Sequence, residues 1–350
     1  MSCKITAVSY TLPRGRLTHA ELCERFGRDV MDKVASISGI YTRRTATAAE
    51  CASDFAVAAA ERILGDADRR EIDALFFSTQ TPDYTLPTTA CIIQQRLGLR
   101  RDIAAFDINL GCTQFVYALS TAKAYVESGL AKKVLVLCGD TPTRLINPKD
   151  KSAVALFSDA GSACIVEKND DSAATQIADF VFGVDGRGYA DLICPASAMR
   201  HPPRPEDFAE TDDGSGNIRR NVDLFVNGFK IFAFAFKIVP QTVEKILQKN
   251  GMKKGDIDLF VFHQAGKKIV ESAAQRLGLD SEKVWLDVRD KGNCGGSSIP
   301  IAIADAIAAG RIKTGMKVLV CAFGVGLSWG AAILDFSNGV PRAYIPEDKK

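Results

Sequence analysis

One of the ten cysteines of this 350-residue chain, Cys112, has the sequence setting of a nucleophile. It follows AAFDINLG, whose apolar run is typical of a buried strand, and precedes TQFVYAL, whose pattern is that of a helix. At the start of a helix a cysteine meets unpaired N–H groups and the positive end of the helix dipole, which favour the thiolate. The preceding Gly111 permits a tight turn. We therefore expect Cys112 to be reactive and the other cysteines to be inert.

Two further polar residues, His263 and Asn293, are predicted to lie at the same edge as this cysteine. His263 ends the apolar segment FVFHQ, and sites gather at the carboxyl ends of parallel strands. The Asp107-to-Cys112 spacing of the first half has a counterpart in the second half. There Asn293, in KGNCGGSSIP, follows Asp287 at nearly the same distance. Each residue alone would be read as a core histidine or a turn residue, but together they predict a three-residue site.

A second glycine-rich segment, AFGVGLSWG at 322–330, adds a candidate oxyanion hole. Gly324 and Gly326 flank Val325 directly after a predicted strand, which would let a backbone N–H face a cavity. With the N–H of Cys112, the N–H of Val325 would bind the oxygen of a thioester carbonyl as negative charge develops on it.

These residues are distributed over an internal repeat. EIDALFFSTQ at 71–80 resembles DIDLFVFHQ at 256–264, and QRLGL occurs both at 95–99 and at 275–279. Matches that keep nearly the same offset over so long a stretch indicate a duplicated domain. Because each half alternates helices with strands, we expect an α/β fold and not a solenoid.

The expected elements follow from the same patterns. The chain is predicted to divide into residues 1–170, which carry the nucleophile, and residues 171–350, which carry the histidine and the asparagine, with the boundary near 168–175. TQFVYALSTAKAYVESG is predicted to be an amphipathic helix that ends near Gly129. Apolar runs predict strands at LFFSTQ, AAFDINL, KKVLVLCGD, SACIVEK, LFVFHQ, KVWLDV, KVLVCAF and WGAAILDF.

One segment departs from the repeat. Residues 195–221 are rich in proline, glycine and charged residues. A long irregular insertion of this kind is usually a functional cap or a mobile loop.

Composition excludes several other classes of protein. With 47% hydrophobic residues, 25% charged residues and a net charge of +2, the chain is an ordinary globular protein without the strong field expected for binding nucleic acid or an anionic membrane. We expect no signal peptide and no membrane-spanning segment. Scattered cysteines without C-x-x-C pairs and only three histidines indicate reduced thiols in a cytoplasmic protein, without a metal site.

The ordered set AFDINLGCTQFVYAL, FVFHQA, GNCGGSSIP and AFGVGLSWGAA resembles the β-ketoacyl-acyl-carrier-protein synthase III family of the thiolase superfamily. SGIYTRR, TPDYTLPTTACIIQQRLGL and LINPKDKSAVALFSDAGSACIVE extend the resemblance over nearly the whole chain. It implies a thiolase-like duplicated fold with five α-β-α-β-α layers, a homodimer, and acyl groups carried on coenzyme A or on the phosphopantetheine of an acyl carrier protein, with no resident cofactor.

The resemblance also implies roles for individual residues. Cys112, His263 and Asn293 match the family's catalytic cysteine, histidine and asparagine, and the backbone of Val325 matches the second oxyanion donor. The residues implied to contact the substrate are Leu86, Phe323, Gly266, Lys151 and Lys268.

Several positions depart from the family pattern. Lys33 and Lys151 stand where the family carries a tryptophan and an arginine that grip coenzyme A, and the family's HQAN-x-R reads HQAGKK, so that Gly266 replaces an asparagine. A lysine cannot stack on a base as a flat guanidinium or indole does. The sequence therefore indicates a specialised member that acts on other acyl groups.

Three functional hypotheses remain open from the sequence. The first is decarboxylative condensation, in which the acyl group on Cys112 is attacked by a malonyl-type thioester. The second is transfer of the same acyl group to an oxygen, nitrogen or sulfur acceptor, with His263 as a general base. The third, a non-catalytic partner subunit, is disfavoured because the cysteine, histidine and asparagine are all present.

Overall fold

The computed structural model describes residues 2–65, 67–169 and 176–346, and the element bounds below refer to these ranges. The helices are α1 His19–Phe26, α2 Arg28–Ser38, α3 Ala52–Leu64, α4 Thr89–Arg96, α5 Gln114–Glu127, α6 Lys151–Val154, α7 Gly228–Lys249, α8 Lys267–Leu277 and α9 Ser298–Ala308. None of the helices in these ranges combines the length and the apolar character that crossing a bilayer requires.

The strands form two large sheets and three short pairs. They are β1 Ser2–Thr11, β2 Gly15–Thr18, β3 Thr42–Thr45, β4 Ala74–Ser78, β5 Ala104–Ile108, β6 Lys133–Asp140, β7 Ala160–Asn169, β8 Ile177–Val184, β9 Leu192–Ile193, β10 Thr211–Asp212, β11 Ile218–Arg219, β12 Phe225–Val226, β13 Leu259–Phe262, β14 Lys317–Gly324, β15 Ser328–Asp335 and β16 Arg342–Tyr344.

Both large sheets contain parallel and antiparallel strand pairs. The six-stranded sheet has the order β16-β1-β7-β6-β4-β5, with β4 parallel to both β5 and β6 and with β7 antiparallel to β1 and β6. The four-stranded sheet has the order β13-β14-β15-β8, with β13 parallel to β14 and with β15 antiparallel to both of its neighbours. The parallel strands of each sheet end at one edge, where a site is expected.

Helices cover both faces of each sheet, and the two sheets share the helices between them, so the molecule has five layers. Side chains of α5 and α9, such as Leu119 and Ala302, pack between the two sheets in one large core. A second core holds α3 and α4 against the other face of the six-stranded sheet, and a third holds α7 and α8 against the other face of the four-stranded sheet. In β4, Phe76 belongs to the central core and Phe77 to the outer one, as the period of a strand requires. The predicted α-β-α-β-α fold is confirmed.

The two halves of the sequence follow the two sheets for most of their length. Strands up to Asn169 lie in the six-stranded sheet or in the β2–β3 pair, and β8, β13, β14 and β15 form the four-stranded sheet. β16 is the exception, because it pairs in parallel with β1. The predicted boundary between residues 170 and 171 lies outside the described residues.

Most predicted elements are present, but one strand prediction was wrong. KVWLDV does not form a strand: its first residue ends a 3₁₀ turn, Ser281–Lys283, and Val284 makes a single bridge to Phe260. The predicted helix is confirmed as α5, with Phe115, Leu119, Ala122 and Val126 buried on one face and Gly129 just beyond its end.

The insertion at 195–221 packs against the chain that follows β6. Its β10–β11 hairpin carries Arg219, whose Nε lies 2.5 Å from the carboxylate of Asp150. Lys149 Nζ lies 2.6 Å from Glu210, and Lys151 Nζ donates to the carbonyl of Ser215 at 2.5 Å. These contacts tie the insertion to residues 149–151 through charged groups.

Candidate active site

Cys112 lies between the end of β5 and the start of α5, as its sequence setting predicts. The glycines around it are required by close approach. A Cβ on Gly324, whose φ is +156°, would lie 2.6 Å from the Cβ of Cys112, and a Cβ on Gly111 would lie 2.5 Å from the side-chain oxygen of Gln80. Both contacts are far inside van der Waals distance. The strand end at β14 therefore touches the cysteine only because Gly324 has no side chain.

Backbone groups surround the sulfur of Cys112. Hydrogen bonds from the backbone of Val325 and of Cys112 itself reach the thiol and lower its pKa. Burial has the larger, opposite effect and raises the pKa of Cys112 to about 11. The backbone N–H groups thus favour the thiolate, as the sequence setting predicts, but desolvation exceeds their effect on the pKa of Cys112.

The buried carboxylate of Asp140 also raises the pKa of Cys112. Its oxygens accept hydrogen bonds from the backbone N–H of Gln80 at 2.8 Å and from Nε2 of Gln114 at 2.5 Å, as well as from Thr79 and Thr81. Burial raises the pKa of Asp140 to about 6, and its negative charge further raises the pKa of Cys112. Sequence reasoning missed this residue, although a charged residue that ends the apolar run KVLVLC was a usable signal.

His263 follows β13 and is 1% exposed. Its edge packs against the ring of Phe323, with ring centroids 5.6 Å apart. Burial lowers the pKa of His263 to about 4, so that the ring is neutral at pH 7.

Ser298, the first residue of α9, orients this ring. Its Oγ lies 2.7 Å from Nδ1 of His263 and accepts the backbone N–H of Gln264 at 3.4 Å. The Ser298 hydroxyl can donate to Nδ1 of the neutral ring, and a neutral imidazole that accepts at Nδ1 carries its proton on Nε2. In the other tautomer Nδ1–H donates to the same hydroxyl and Nε2 is an acceptor. Sequence reasoning missed Ser298, having read GGSS only as part of a turn.

The backbone and side chain of Asn293 are both fixed. Its backbone N–H donates to Leu156 at 2.9 Å, and its carbonyl accepts the N–H of Ser158 at 2.9 Å. The side-chain oxygen accepts the N–H of Gly295 at 3.0 Å. With that oxygen engaged, the amide nitrogen is the group left to donate toward a ligand.

A single cavity of about 310 Å³ brings the three predicted residues together. Its walls are mostly apolar. It is lined by Cys112, His263 and Asn293, and by Ile37, Ser38, Leu156, Phe157, Leu192, Val226, Gly228, Ile231, Phe232, Ala265, Gly266, Lys268, Ile269, Phe323 and Gly324. Such a channel suits a slender, largely apolar thioester arm with one reacting carbonyl.

The residues predicted to contact substrate do not all line this cavity. Phe323, Gly266 and Lys268 do. Lys151 is held by the insertion through Ser215. Leu86 is 84% exposed and lies outside the cavity lining.

Comparison with known proteins assigns the family. The sequence model of 3-oxoacyl-[acyl-carrier-protein] synthase III matches residues 106–186, and the model of its C-terminal part matches residues 247–336. The β-ketoacyl-[acyl-carrier-protein] synthase III of Caldanaerobacter subterraneus subsp. tengcongensis is 34% identical over 93% of this chain and 96% of its own. The chain belongs to the β-ketoacyl-acyl-carrier-protein synthase III family. It is accordingly an acyl-transferring enzyme.

Solved structures of a synthase III and of a polyketide priming ketosynthase share this fold. A crystal structure of a 3-oxoacyl-(acyl-carrier-protein) synthase III is 35% identical, covers 96% of this chain and 100% of its own, and has a TM-score of 0.93. The priming β-ketosynthase of the R1128 polyketide biosynthetic pathway is 28% identical, covers 98% of this chain and 97% of its own, and has a TM-score of 0.83.

Proposed function

We propose that this enzyme carries an acyl group on Cys112 and condenses it with a malonyl-type thioester, releasing carbon dioxide. The observation that supports the proposal is the shared cavity, which places a cysteine, a neutral histidine and an asparagine amide around one channel. The proposal requires the neutral His263 tautomer that accepts from Ser298 at Nδ1, because its Nε2–H and the Nδ2–H of Asn293 are then both hydrogen-bond donors. Two donors suit an enolate oxygen, whereas a general base requires an acceptor.

In the first half-reaction the sulfur of Cys112 attacks the carbonyl carbon of an acyl thioester. The C–S bond of the donor breaks, and the departing thiol takes a proton in place of the one that Cys112 loses. The N–H groups of Cys112 and Val325, which approach the sulfur in the free enzyme, hold the oxyanion of the tetrahedral intermediate.

In the second half-reaction a malonyl-type thioester enters the emptied channel. Its C–C bond to the carboxylate breaks, carbon dioxide leaves, and the electron pair forms an enolate whose oxygen is held by His263 and Asn293. The enolate carbon attacks the acyl group on Cys112 and forms the new C–C bond. The Cys112 sulfur leaves and recovers a proton from solvent.

The test separates the two half-reactions in His263→Ala and Asn293→Ala. We expect both variants to acylate Cys112 nearly normally and to lose about 10²–10³-fold in condensation, the usual effect of removing one oxyanion donor. Carbon dioxide release is measured together with product. Normal condensation in both variants would refute the assigned roles, and a product formed without carbon dioxide would identify acyl transfer to another acceptor.

We further propose that at least one substrate is delivered on an acyl carrier protein, the partner that the names of the relatives specify. Supporting this, Lys33 and Lys151 stand at the positions where the family resemblance implies groups that stack on adenine. Lys268, which is exposed, lies at the cavity, where it would meet an acidic carrier. Arg219 and Arg220, the other basic residues considered for this role, are each paired with a carboxylate of their own chain.

The test compares kcat/KM for one acyl group on coenzyme A and on a cognate carrier protein, in each half-reaction. We expect the carrier-bound form to be preferred in at least one of them. A preference for coenzyme A in both would contradict the proposal. In the proposed reaction the acyl groups arrive and leave on phosphopantetheine, and no step calls for a resident cofactor.

A further inference from the structure

Three potential metal ligands converge between α1 and α2, outside the catalytic cavity. Nε2 of His19 lies 2.7 Å from Oδ1 of Asp32 and 3.4 Å from Sγ of Cys23. The three ligand atoms all lie within 4.8 Å of one another. In the part of the chain that the structure describes, this is the one group of histidine, cysteine and carboxylate side chains with such spacing.

A hydrogen on Nε2 of His19 satisfies the contact with Asp32 but does not let the thiol of Cys23 donate to the same nitrogen. If Nε2 is bare, the thiol can donate to it, but the carboxylate then faces a nitrogen lone pair at 2.7 Å. A cation at the centre of the three atoms would accept all three lone pairs together.

The local structure suits a bound ion. His19 and Cys23 are four residues apart on α1 and thus share one face of the helix, whose first turn is fixed by a capping box between Thr18 and Glu21. Cys23 is 7% exposed, whereas the side chain of Asp32 is 55% exposed. The sulfur is therefore shielded, and the carboxylate side gives an ion a route from solvent.

Although the sequence predicted no metal site, we propose that His19, Cys23 and Asp32 bind a divalent transition-metal cation of the Zn²⁺ type. One imidazole, one thiolate and one carboxylate form the mixed donor set that Zn²⁺ accepts, with a fourth position left for water. Binding displaces the proton of Cys23 to solvent, and the two anionic ligands balance the charge of the ion.

The ion would join α1 to α2. The same helix α2 ends with Ile37 and Ser38, which line the catalytic cavity. Metal occupancy therefore stabilises a wall of the cavity without touching the reacting atoms. We expect the metal-loaded protein to melt at a higher temperature than the stripped protein, because the ion binds only the folded arrangement.

The test uses the full chain in a Cys112→Ser background, so that the catalytic thiol contributes nothing. After chelator treatment, Co²⁺ is titrated and the thiolate-to-cobalt charge-transfer absorption is followed, and Zn²⁺ is then used to displace it. We expect a single equivalent to bind. Cys23→Ser should abolish the charge-transfer band, and His19→Gln and Asp32→Asn should weaken affinity by roughly 10–100-fold or more, given that outer-sphere partners alone contribute this much.

Cys91→Ser and His201→Gln are the matched controls, since Cys91 is exposed and His201 pairs with Asp207 elsewhere. Both should bind cobalt as the parent does. Asp32 is largely exposed, so Asp32→Asn folds and provides a readout even if Cys23→Ser does not. The proposal is overturned if the parent binds neither Co²⁺ nor Zn²⁺ at micromolar concentrations, or if the charge-transfer band persists in Cys23→Ser.

Discussion

The proposed condensation requires the hydroxyl of Ser298 to donate to Nδ1 of His263, because the proton then lies on Nε2, where it can donate to an enolate. In Ser298→Ala the Nδ1–H tautomer becomes accessible and competes with the productive one. Loss of one neutral hydrogen bond is worth roughly 0.5–1.5 kcal/mol, so condensation should fall about 2–10-fold, while acylation of Cys112 is unchanged. Nitrogen-15 NMR of the His263 ring should show the change of tautomer.

Ser297→Ala is the control for this variant. The hydroxyl of Ser297 donates to the carbonyl of Cys138 at 3.0 Å, and the residue lies immediately before Ser298. Its loss should leave the His263 ring spectrum as it is. An unchanged tautomer in Ser298→Ala, or an equal loss of condensation in both variants, would contradict the positioning role.

The reactivity of the free thiol provides a test based on pH. With its pKa raised to about 11 by burial, Cys112 should alkylate slowly at neutral pH, and its rate should rise steadily as pH increases toward that value. Removal of a nearby negative charge in Asp140→Asn should lower the pKa of Cys112 and raise the rate at a fixed pH near 8. Peptide mass spectrometry after timed iodoacetamide exposure measures this site alone.

Asp102→Asn, on the protein surface, serves as the control and should leave the alkylation rate unchanged. A rate that levels off near the ordinary cysteine value of about 8.5 would show that the site does not suppress the thiolate.

The site residues that could be predicted from the sequence are polar residues at positions where apolar residues are usual. Cys112 and His263 each stand at the end of an apolar strand, where a polar side chain requires a reason. Ser298 and Asp140 act through partners 35 and 26 residues away in the chain, and nothing local specifies those contacts. The raised pKa of Cys112 was likewise unpredictable, because it depends on how many atoms of other elements cover the sulfur.

At the scale of elements, long periodic segments were predictable and short ones were not. α5 and β6 are long and contain many buried residues, so the apolar pattern of a helix and of a strand is clear in their sequences. KVWLDV has the alternation of a strand, but it forms only an isolated bridge between Val284 and Phe260 before the chain turns toward the asparagine loop. Tertiary position overrides local propensity in such a short run.

The loop that carries Asn293 is anchored by a buried ion-pair cluster. Nζ of Lys291 contacts the carboxylates of Asp287 and Asp305, and Tyr10 of β1 donates to Asp305 at 2.7 Å. Lys291→Met removes the cation and leaves two shielded carboxylates together. We expect a loss of about 3–5 kcal/mol in the free energy of unfolding, measured by urea denaturation.

Lys132→Met tests whether the effect depends on burial, since Lys132 is exposed. Its free energy of unfolding should change by no more than about 0.5 kcal/mol. Equal stability of the two variants would show that the Lys291 cluster contributes nothing to anchoring the loop.

For the whole molecule, duplication explains the site: each half contributes a sheet whose parallel strands end at the same central edge. The first half supplies Cys112, and the second supplies His263, Asn293 and the Gly324–Val325 backbone. Neither half holds a complete site by itself, so the repeat in the sequence was the signal that linked residues far apart in the chain.

An edge strand and a neighbouring apolar segment favour assembly of this chain with a second copy. β5 is the terminal strand of the six-stranded sheet, and the nearby segment 81–89 exposes Tyr84 and Leu86. An edge strand beside exposed apolar side chains favours pairing with another chain. We predict a homodimer in which this segment reaches the partner, and we expect sedimentation velocity to show dimers at micromolar concentration.

Leu86→Arg should weaken the dimer, because it places a charge in the predicted interface. Leu130→Arg, at a similarly exposed leucine after α5, should not. A wild-type protein that sediments as a monomer at micromolar concentration would remove the basis for this arrangement.

The central claim is that Cys112 alone carries the acyl group between two half-reactions. The most direct measurement is intact-protein mass spectrometry of wild type and Cys112→Ala after incubation with a panel of acyl thioesters, followed by a malonyl-type thioester. The account predicts one acyl mass increment on the wild type, none on the variant, and loss of that increment as carbon dioxide and product appear. Acylation of Cys112→Ala at the wild-type rate would contradict it.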